Sequence, residues 1–201
     1  MMGTVRFRQF DIEHSASAMK SGTDGVLLGA GAEIPHQAQS ILDVGTGSGL
    51  IALMMAQRTL SAKIAAIEID STAANEAVDN VHRSPWADRI EVICEDFISA
   101  CSDTKYDLIV SNPPFFTEEL RSPDSRRALA RHGGTLNPLN LIRKTSDMLT
   151  PDGSVAFIAP SSLDDEVSFT AYLGRLNLLP QTHVRPPPGT QPSPHRTLPT
   201  P

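Results

Sequence analysis

Short apolar runs alternate with stretches of helical spacing along most of this chain. Residues 40–44, 63–70, 89–94, 106–111 and 154–160 are runs of strand length rich in Ile, Val and Leu. Between and after them, residues 50–58, 73–82, 138–149 and 162–176 place apolar side chains at helical intervals, and residues 181–185 can add a sixth strand. Strands alternating with helices predict an α/β fold, a mostly parallel sheet with helices on both faces. Ahead of this series, Val5 to Ile12 alternates as a short strand or extended arm does. Glycines between Ala18 and Gly25 permit tight turns, and Thr23 or Asp24 can cap a helix over Val26 to Ala30. Pro151-Asp152-Gly153 reads as a turn. Beyond Arg185 the prolines accumulate, and such a tail is expected to lie over the surface or move freely. The chain divides into an arm and capping helix (1–33), a central domain (34–180) and a Pro-rich tail (181–201).

Composition adds bounds. With 201 residues, 40% hydrophobic and 20% charged, the chain supports one globular domain with a full core. No apolar run approaches the roughly 20 residues of a membrane span, and no export signal opens the sequence, so a cytoplasmic monomer without membrane contact is expected. Cys94 and Cys101 are the only cysteines and lack the neighbours of a zinc site, so no metal is expected. The net charge of −6 disfavours diffuse nucleic-acid binding. Locally the balance reverses: from Arg121 to Lys144 there are six basic residues against one acid. Arg121, Arg126, Arg127 and Arg131 therefore become candidates for phosphate contacts, with a solvated helix face as the plain alternative.

The chemistry concentrates at the strand ends. Residues 40–44 run into Gly45-Thr46-Gly47-Ser48-Gly49 and then an apolar helix, the opening half of a nucleotide-binding βαβ unit. The glycine spacing is not that of dinucleotide enzymes, and Asp43 would repel a pyrophosphate. A carboxylate there suits the ammonium and hydroxyls of a nucleoside–amino-acid cofactor, which favours S-adenosylmethionine. Glu68 ends the next strand, placed to accept ribose hydroxyls, while Asp70 reads as a helix cap. Asp96 follows the third strand, either as an acceptor for a cofactor amino group with Phe97 or Ile98 against the ring, or as the cap of a short helix. Lys20 and Thr23 could line a pocket for a zwitterion.

The fourth strand delivers Ser111-Asn112-Pro113-Pro114-Phe115. Two prolines force a stiff, extended loop. The Asn112 side-chain oxygen and the Pro113 carbonyl are two acceptors beside the apolar plate of Phe115, an arrangement suited to a planar group carrying an NH2.

Glycine loop, acid, acid and Asn-Pro-Pro-aromatic, in that order, resemble the Rossmann-like class I S-adenosylmethionine-dependent methyltransferases that act on nitrogen. Ala18-Met19-Lys20, Gly22-Thr23-Asp24-Gly25-Val26-Leu27-Leu28-Gly29-Ala30, Ser84-Pro85-Trp86-Ala87-Asp88-Arg89-Ile90 and Ala130-Arg131-His132 are similar to the bacterial tRNA1(Val) (adenine(37)-N6)-methyltransferases. The resemblance spans residues 5–160 and fades thereafter. It implies Asn112, Pro113 and Phe115 as the target-base motif, Asp43, Gly45, Gly47 and Glu68 as cofactor contacts, Asp96 as a further one, and tRNA as partner. Phe115 stands where the family commonly has Tyr. The family also inserts a last strand between the fifth and sixth and ends on a helix; here Leu198 is followed by Pro199-Thr200-Pro201, so that strand and helix are expected to be truncated. Rival readings are methylation of an rRNA or DNA base amine or of a protein glutamine amide, and an inactive copy that binds cofactor or RNA.

Overall fold

The computed structural model describes residues 3–14, 23–113, 138–160, 182–184 and 196–200. The N-terminal arm is a hairpin rather than a single strand. β1 (Gly3–Arg6) pairs antiparallel with β2 (Asp11–His14). The Phe7 amide donates to the Phe10 carbonyl at 2.9 Å across the bend. The Phe7 and Phe10 rings stack at 4.7 Å, and the edge of Trp86 meets Phe10 at 5.7 Å, which fastens the hairpin to the body.

The body continues through α1 (Thr23–Gly31), β3 (Ser40–Val44), α2 (Leu50–Arg58), β4 (Lys63–Glu68), α3 (Ser71–His82), β5 (Ile90–Cys94), β6 (Tyr106–Ser111), α4 (Pro138–Ser146) and β7 (Leu149–Phe157). Five parallel strands lie in the order β5-β4-β3-β6-β7, as the alternating pattern predicts. The chain builds outward from β3 to β5, then crosses back to place β6 on the other side of β3. That reversal makes the β3–β6 junction the switch point at which α/β sheets open a crevice.

Burial on both faces explains why the strands read as continuous apolar runs. Ile41, Leu108, Val110 and Ala156 pack in one core with residues of α1, α2 and the hairpin. Their strand neighbours Leu42, Val44, Ile109, Val155 and Phe157 pack in a second core with Leu141 and Ile142 of α4. Each buried Val, Leu, Ile or Phe among them contributes about 1.5–3 kcal/mol by leaving water.

Gly25, expected to serve a turn, does something else, and Gly29 lies in the helix as expected. Gly25 and Gly29 lie inside α1, four residues apart, facing Leu50 and Met54 of α2. A Cβ at Gly29 would sit 2.4 Å from Met54 Sδ, so the missing side chain is what lets the two helices approach. Arg58, at the end of α2, locks the pair by donating to the Gly29 and Ala32 carbonyls at 2.9 and 2.6 Å. The predicted turn at Pro151–Gly153 appears as an irregularity inside β7, between the pairings Tyr106↔Leu149 and Leu108↔Ser154.

The last strand, expected to be truncated, is present as a short one of five residues. β10 (Arg196–Thr200) lies antiparallel between β8 (Ala159–Pro160) and β9 (Thr182–Val184), in the order β8-β10-β9. Pro199 is accommodated opposite His183, because proline already holds an extended φ and removes only one donor from the ladder. The tail thus supplies two strands. The helix expected over 162–176 lies outside the described residues, among which no helix is long and apolar enough to cross a membrane.

Candidate functional site

Parallel pairing brings the expected residues to one edge of the sheet. Asp43 pairs with Val110 and Val44 with Ser111, so Gly45 and Asn112 leave neighbouring strands side by side. The Ser111 hydroxyl donates to the Val44 carbonyl at 2.8 Å and pins that junction. On the other flank Glu68 pairs with Cys94, and the Glu95 amide donates to the Glu68 carbonyl, which places Asp96 at the adjoining tip.

The glycine loop is built by its conformation. Gly45, Gly47 and Gly49 have φ of 70°, 57° and 84°, a region where a Cβ is strained. The Gly45 and Thr46 amides donate to the Ile67 carbonyl, folding the loop over β4. A Cβ on Gly47 would meet nothing within 4 Å, whereas one on Gly49 would meet Ala77 of α3 at 3.4 Å. Gly47 therefore faces open space and Gly49 faces the body.

Asp43 is fully buried beneath this loop. Its Oδ2 accepts from the Thr46 hydroxyl at 2.6 Å and the Ala52 amide at 3.0 Å; its Oδ1 has no partner among the described residues. Burial pushes its pKa up to about 7, against the lowering effect of those two bonds, and nearby Glu68 adds to the rise. Asp107 near the start of β6 shows the opposite balance. Burial alone would raise it, but hydrogen bonds from Gln39, Ser40 and Thr150 hold it below the usual carboxylate range. The unpartnered oxygen of Asp43 calls for a cation or donor that the described residues do not supply.

Glu68 is engaged on both oxygens, with Oε2 accepting from the Gly47 amide at 2.9 Å and Oε1 from the Asp70 amide at 3.0 Å. A carboxylate has acceptor sites to spare beyond these two bonds. Asp70 caps α3 through the Ala73 amide, as expected. Asp96 opens a turn over residues 97–99 rather than a short helix, its Oδ1 accepting from the Ile98 amide at 3.0 Å, which leaves its reading as an acceptor for a cofactor amino group open. Phe97 is corrected as a cofactor contact, because it is buried in the second core with Lys144 Nζ 5.3 Å from its ring centroid. Ile98 is only partly buried and keeps that possibility.

Asn112 follows β6 directly. Its Oδ1 is buried and unpartnered among the described residues, and a Cβ on Gly25 of α1 would come within 3.9 Å of its Nδ2. Pro113 is buried beside it. Thr23 is exposed at the start of α1. Lys20, Phe115, Arg121, Arg126, Arg127 and Arg131 lie outside the described residues.

The methyltransferase small domain model matches residues 14–183. The chain belongs to this methyltransferase small domain family. Among curated members, the tRNA1(Val) (adenine(37)-N6)-methyltransferase of Bacteroides thetaiotaomicron is 46% identical over 188 residues, 93% of this chain and 79% of that one. The protein of the same name from Aeromonas hydrophila is 48% identical over 162 residues, covering 80% and 68%. Solved structures share the fold. A methyltransferase from Pyrococcus furiosus superposes with a TM-score of 0.66 at 18% identity, covering 94% of this chain and 87% of its own. P. horikoshii TYW2 in complex with MeSAdo gives 0.69 at 15%, covering 99% and 70%.

The site fits the methyl donor of a class I methyltransferase, S-adenosylmethionine, on three observations: the orphaned Asp43 oxygen, the open face of Gly47, and an apolar tip beside Glu68. That tip is Ile69, 63% exposed, which sequence reading passed over as part of a strand. A large apolar side chain left in water at a binding edge is suited to cover a planar ring. Asn80 was also missed. It is 0% exposed on the α3 face that carries Ala77 and Val81, and a polar residue in that apolar series was the available signal.

Proposed function

We propose that this methyltransferase small domain protein transfers a methyl group from S-adenosylmethionine to the 6-amino group of adenine 37 in tRNA1(Val), in the cytoplasm. The observation that carries the chemistry is Asn112, whose buried side-chain oxygen has no partner among the described residues and stands next to the glycine loop. The curated relatives described above supply the substrate, since they share this name at close to half identity over most of the chain.

S-adenosylmethionine, when bound, supplies a methyl group on a sulfonium ready for transfer to nitrogen. Asp43, Gly47, Glu68 and Ile69 are the residues that would hold it. Asn112 Oδ1 accepts one proton of the target amino group, and the Pro113 carbonyl accepts the other. Drawing both N–H bonds toward these acceptors holds the nitrogen lone pair out of ring conjugation. The amino nitrogen is neutral until transfer and, once methylated, sheds its extra proton to water, so no strong base is required; placement and electrostatics supply the rate. Phe115 is proposed as the stacking plate, worth about 1–3 kcal/mol per base. Thr23 and Lys20 are proposed to contact the cofactor, with Gly45 shaping the loop and Asp96 at the third tip. Arg121, Arg126, Arg127 and Arg131 are proposed to meet tRNA phosphates.

The test is methylation of tRNA1(Val) lacking its modification, with the product nucleotide mapped by mass spectrometry. Methyl at N6 of adenine 37 is expected. Asn112→Ala should lower turnover by about 10²–10³-fold, the range for losing one preorganised polar group, with cofactor affinity retained. Methylation elsewhere, or unchanged turnover in Asn112→Ala, refutes the assignment.

A further inference from the structure

We propose that Asn80 is a positioning residue that couples the N-terminal hairpin to the glycine loop of the cofactor site. Its amide uses every hydrogen-bonding capacity it has, and spends them on three elements. Nδ2 donates to the Ser48 carbonyl in the glycine loop at 2.9 Å and to the Glu13 carbonyl in β2 at 3.1 Å. Oδ1 accepts from the Glu13 amide at 3.0 Å and from Arg83 Nη2 at 2.7 Å. One buried side chain therefore completes an edge bond of the hairpin and holds the backbone of the loop. Ala77, one turn earlier on α3, lies against Gly49, the next residue of the same loop. Arg83 adds an ion pair to Glu13 at 3.2 Å, but this pair is half exposed and contributes little.

The consequence is reciprocal. The hairpin leads toward α1, and α1 packs through Gly25 against Asn112 and Leu50. A docked hairpin holds Ser48 through Asn80, so the glycine loop keeps the backbone that receives the cofactor. By linkage, a ligand that stabilises the loop stabilises hairpin docking by the same factor. Sidedness follows from the chemistry: only an amide offers two donors and two acceptors from one planar group at this position. This inference rests on the assignment of the glycine loop to S-adenosylmethionine.

The experiment uses the full chain and compares wild type, Asn80→Ala, Asn80→Asp and Met148→Ala. Asn80→Asp keeps shape and the two accepting bonds but turns an oxygen toward the Glu13 and Ser48 carbonyls. Met148 lies in the second core, so its truncation lowers stability without touching the bridge. Two quantities are read: the dissociation constant of S-adenosylmethionine by calorimetry, and amide exchange of residues 11–14 with and without it. In wild type, the cofactor should slow hairpin exchange by about tenfold, within the usual range of coupling between sites. Both Asn80 variants should lose that slowing and bind the cofactor about tenfold more weakly, with KM for the cofactor raised and kcat within about twofold. Met148→Ala should keep wild-type affinity and wild-type slowing. Failure of the wild type to bind overturns the loop assignment and the coupling with it. Binding and slowing that persist in Asn80→Asp overturn the coupling alone. The wild-type exchange measurement decides the matter even where Asn80→Ala does not fold: absence of slowing in a chain that binds also overturns it.

Discussion

Asp43→Asn should strengthen the fold at alkaline pH while weakening cofactor binding. Asp43 has a folded-state pKa of about 7 against an ordinary value of 3.8, because burial disfavours its charge more than Thr46 and Ala52 support it. A carboxyl raised in this way contributes its stability fully below about pH 4 and loses it as pH climbs through 7. The complete loss, about 3 pKa units at 1.36 kcal/mol each, is about 4 kcal/mol. Between pH 5 and pH 8 the wild type should lose about 3 kcal/mol that the asparagine variant does not. Asparagine can present its oxygen to Thr46 and Ala52, so the two bonds on Oδ2 survive. Its amide then occupies the place of the unpartnered Oδ1, putting a donor where a cation is to be received.

Urea unfolding at pH 5 and pH 8 measures the first effect as a change in the difference between the two proteins, and calorimetry with S-adenosylmethionine measures the second. A positive ligand lowers the pKa of Asp43, so wild-type affinity should rise with pH through 7 while that of Asp43→Asn stays low and flat. Parallel pH slopes for the two proteins would show that Asp43 is not titrating in its buried site. Equal cofactor affinity would remove Asp43 from the binding set.

Gly29→Ala should destabilise by about 1–3 kcal/mol, because its Cβ falls 2.4 Å from Met54 Sδ and 3.0 Å from Met54 Cβ. Met54→Ala in the same chain should recover part of the loss, and a double-mutant cycle by urea unfolding that finds simple additivity refutes the contact. Gly47→Ala and Gly49→Ala both place a Cβ at positive φ, at about 1–2 kcal/mol. Only Gly47 faces open space, so its substitution should weaken cofactor affinity more than stability, whereas Gly49→Ala, meeting Ala77, should reverse that order.

The order of strands, helices and tips was legible because burial on both faces leaves apolar runs, and because glycine and proline punctuate them chemically. The junction of Asp43, Gly45 and Asn112 follows from that order alone, since parallel strands flanking a switch point must bring their ends together. What escaped is whatever depends on which side chain already has a partner. Phe97 looked available at a strand tip, yet α4 covers it with Lys144, and nothing local to residues 95–98 announces that helix. Gly25 read as a turn residue because its spacing from Gly29 acquires meaning only against Leu50 and Met54. The proline content of the tail was weighed as a whole, although a strand tolerates one proline where its lost donor is affordable, as at Pro199. Asn80 is the most informative omission. Its position on an apolar helix face was visible, but the reason for it is two backbones from elsewhere in the chain, at Glu13 and Ser48. A buried amide in a run of alanines is thus better read as a request for unseen partners than as a weak point in the helix, and the glycine loop is one of the partners it found.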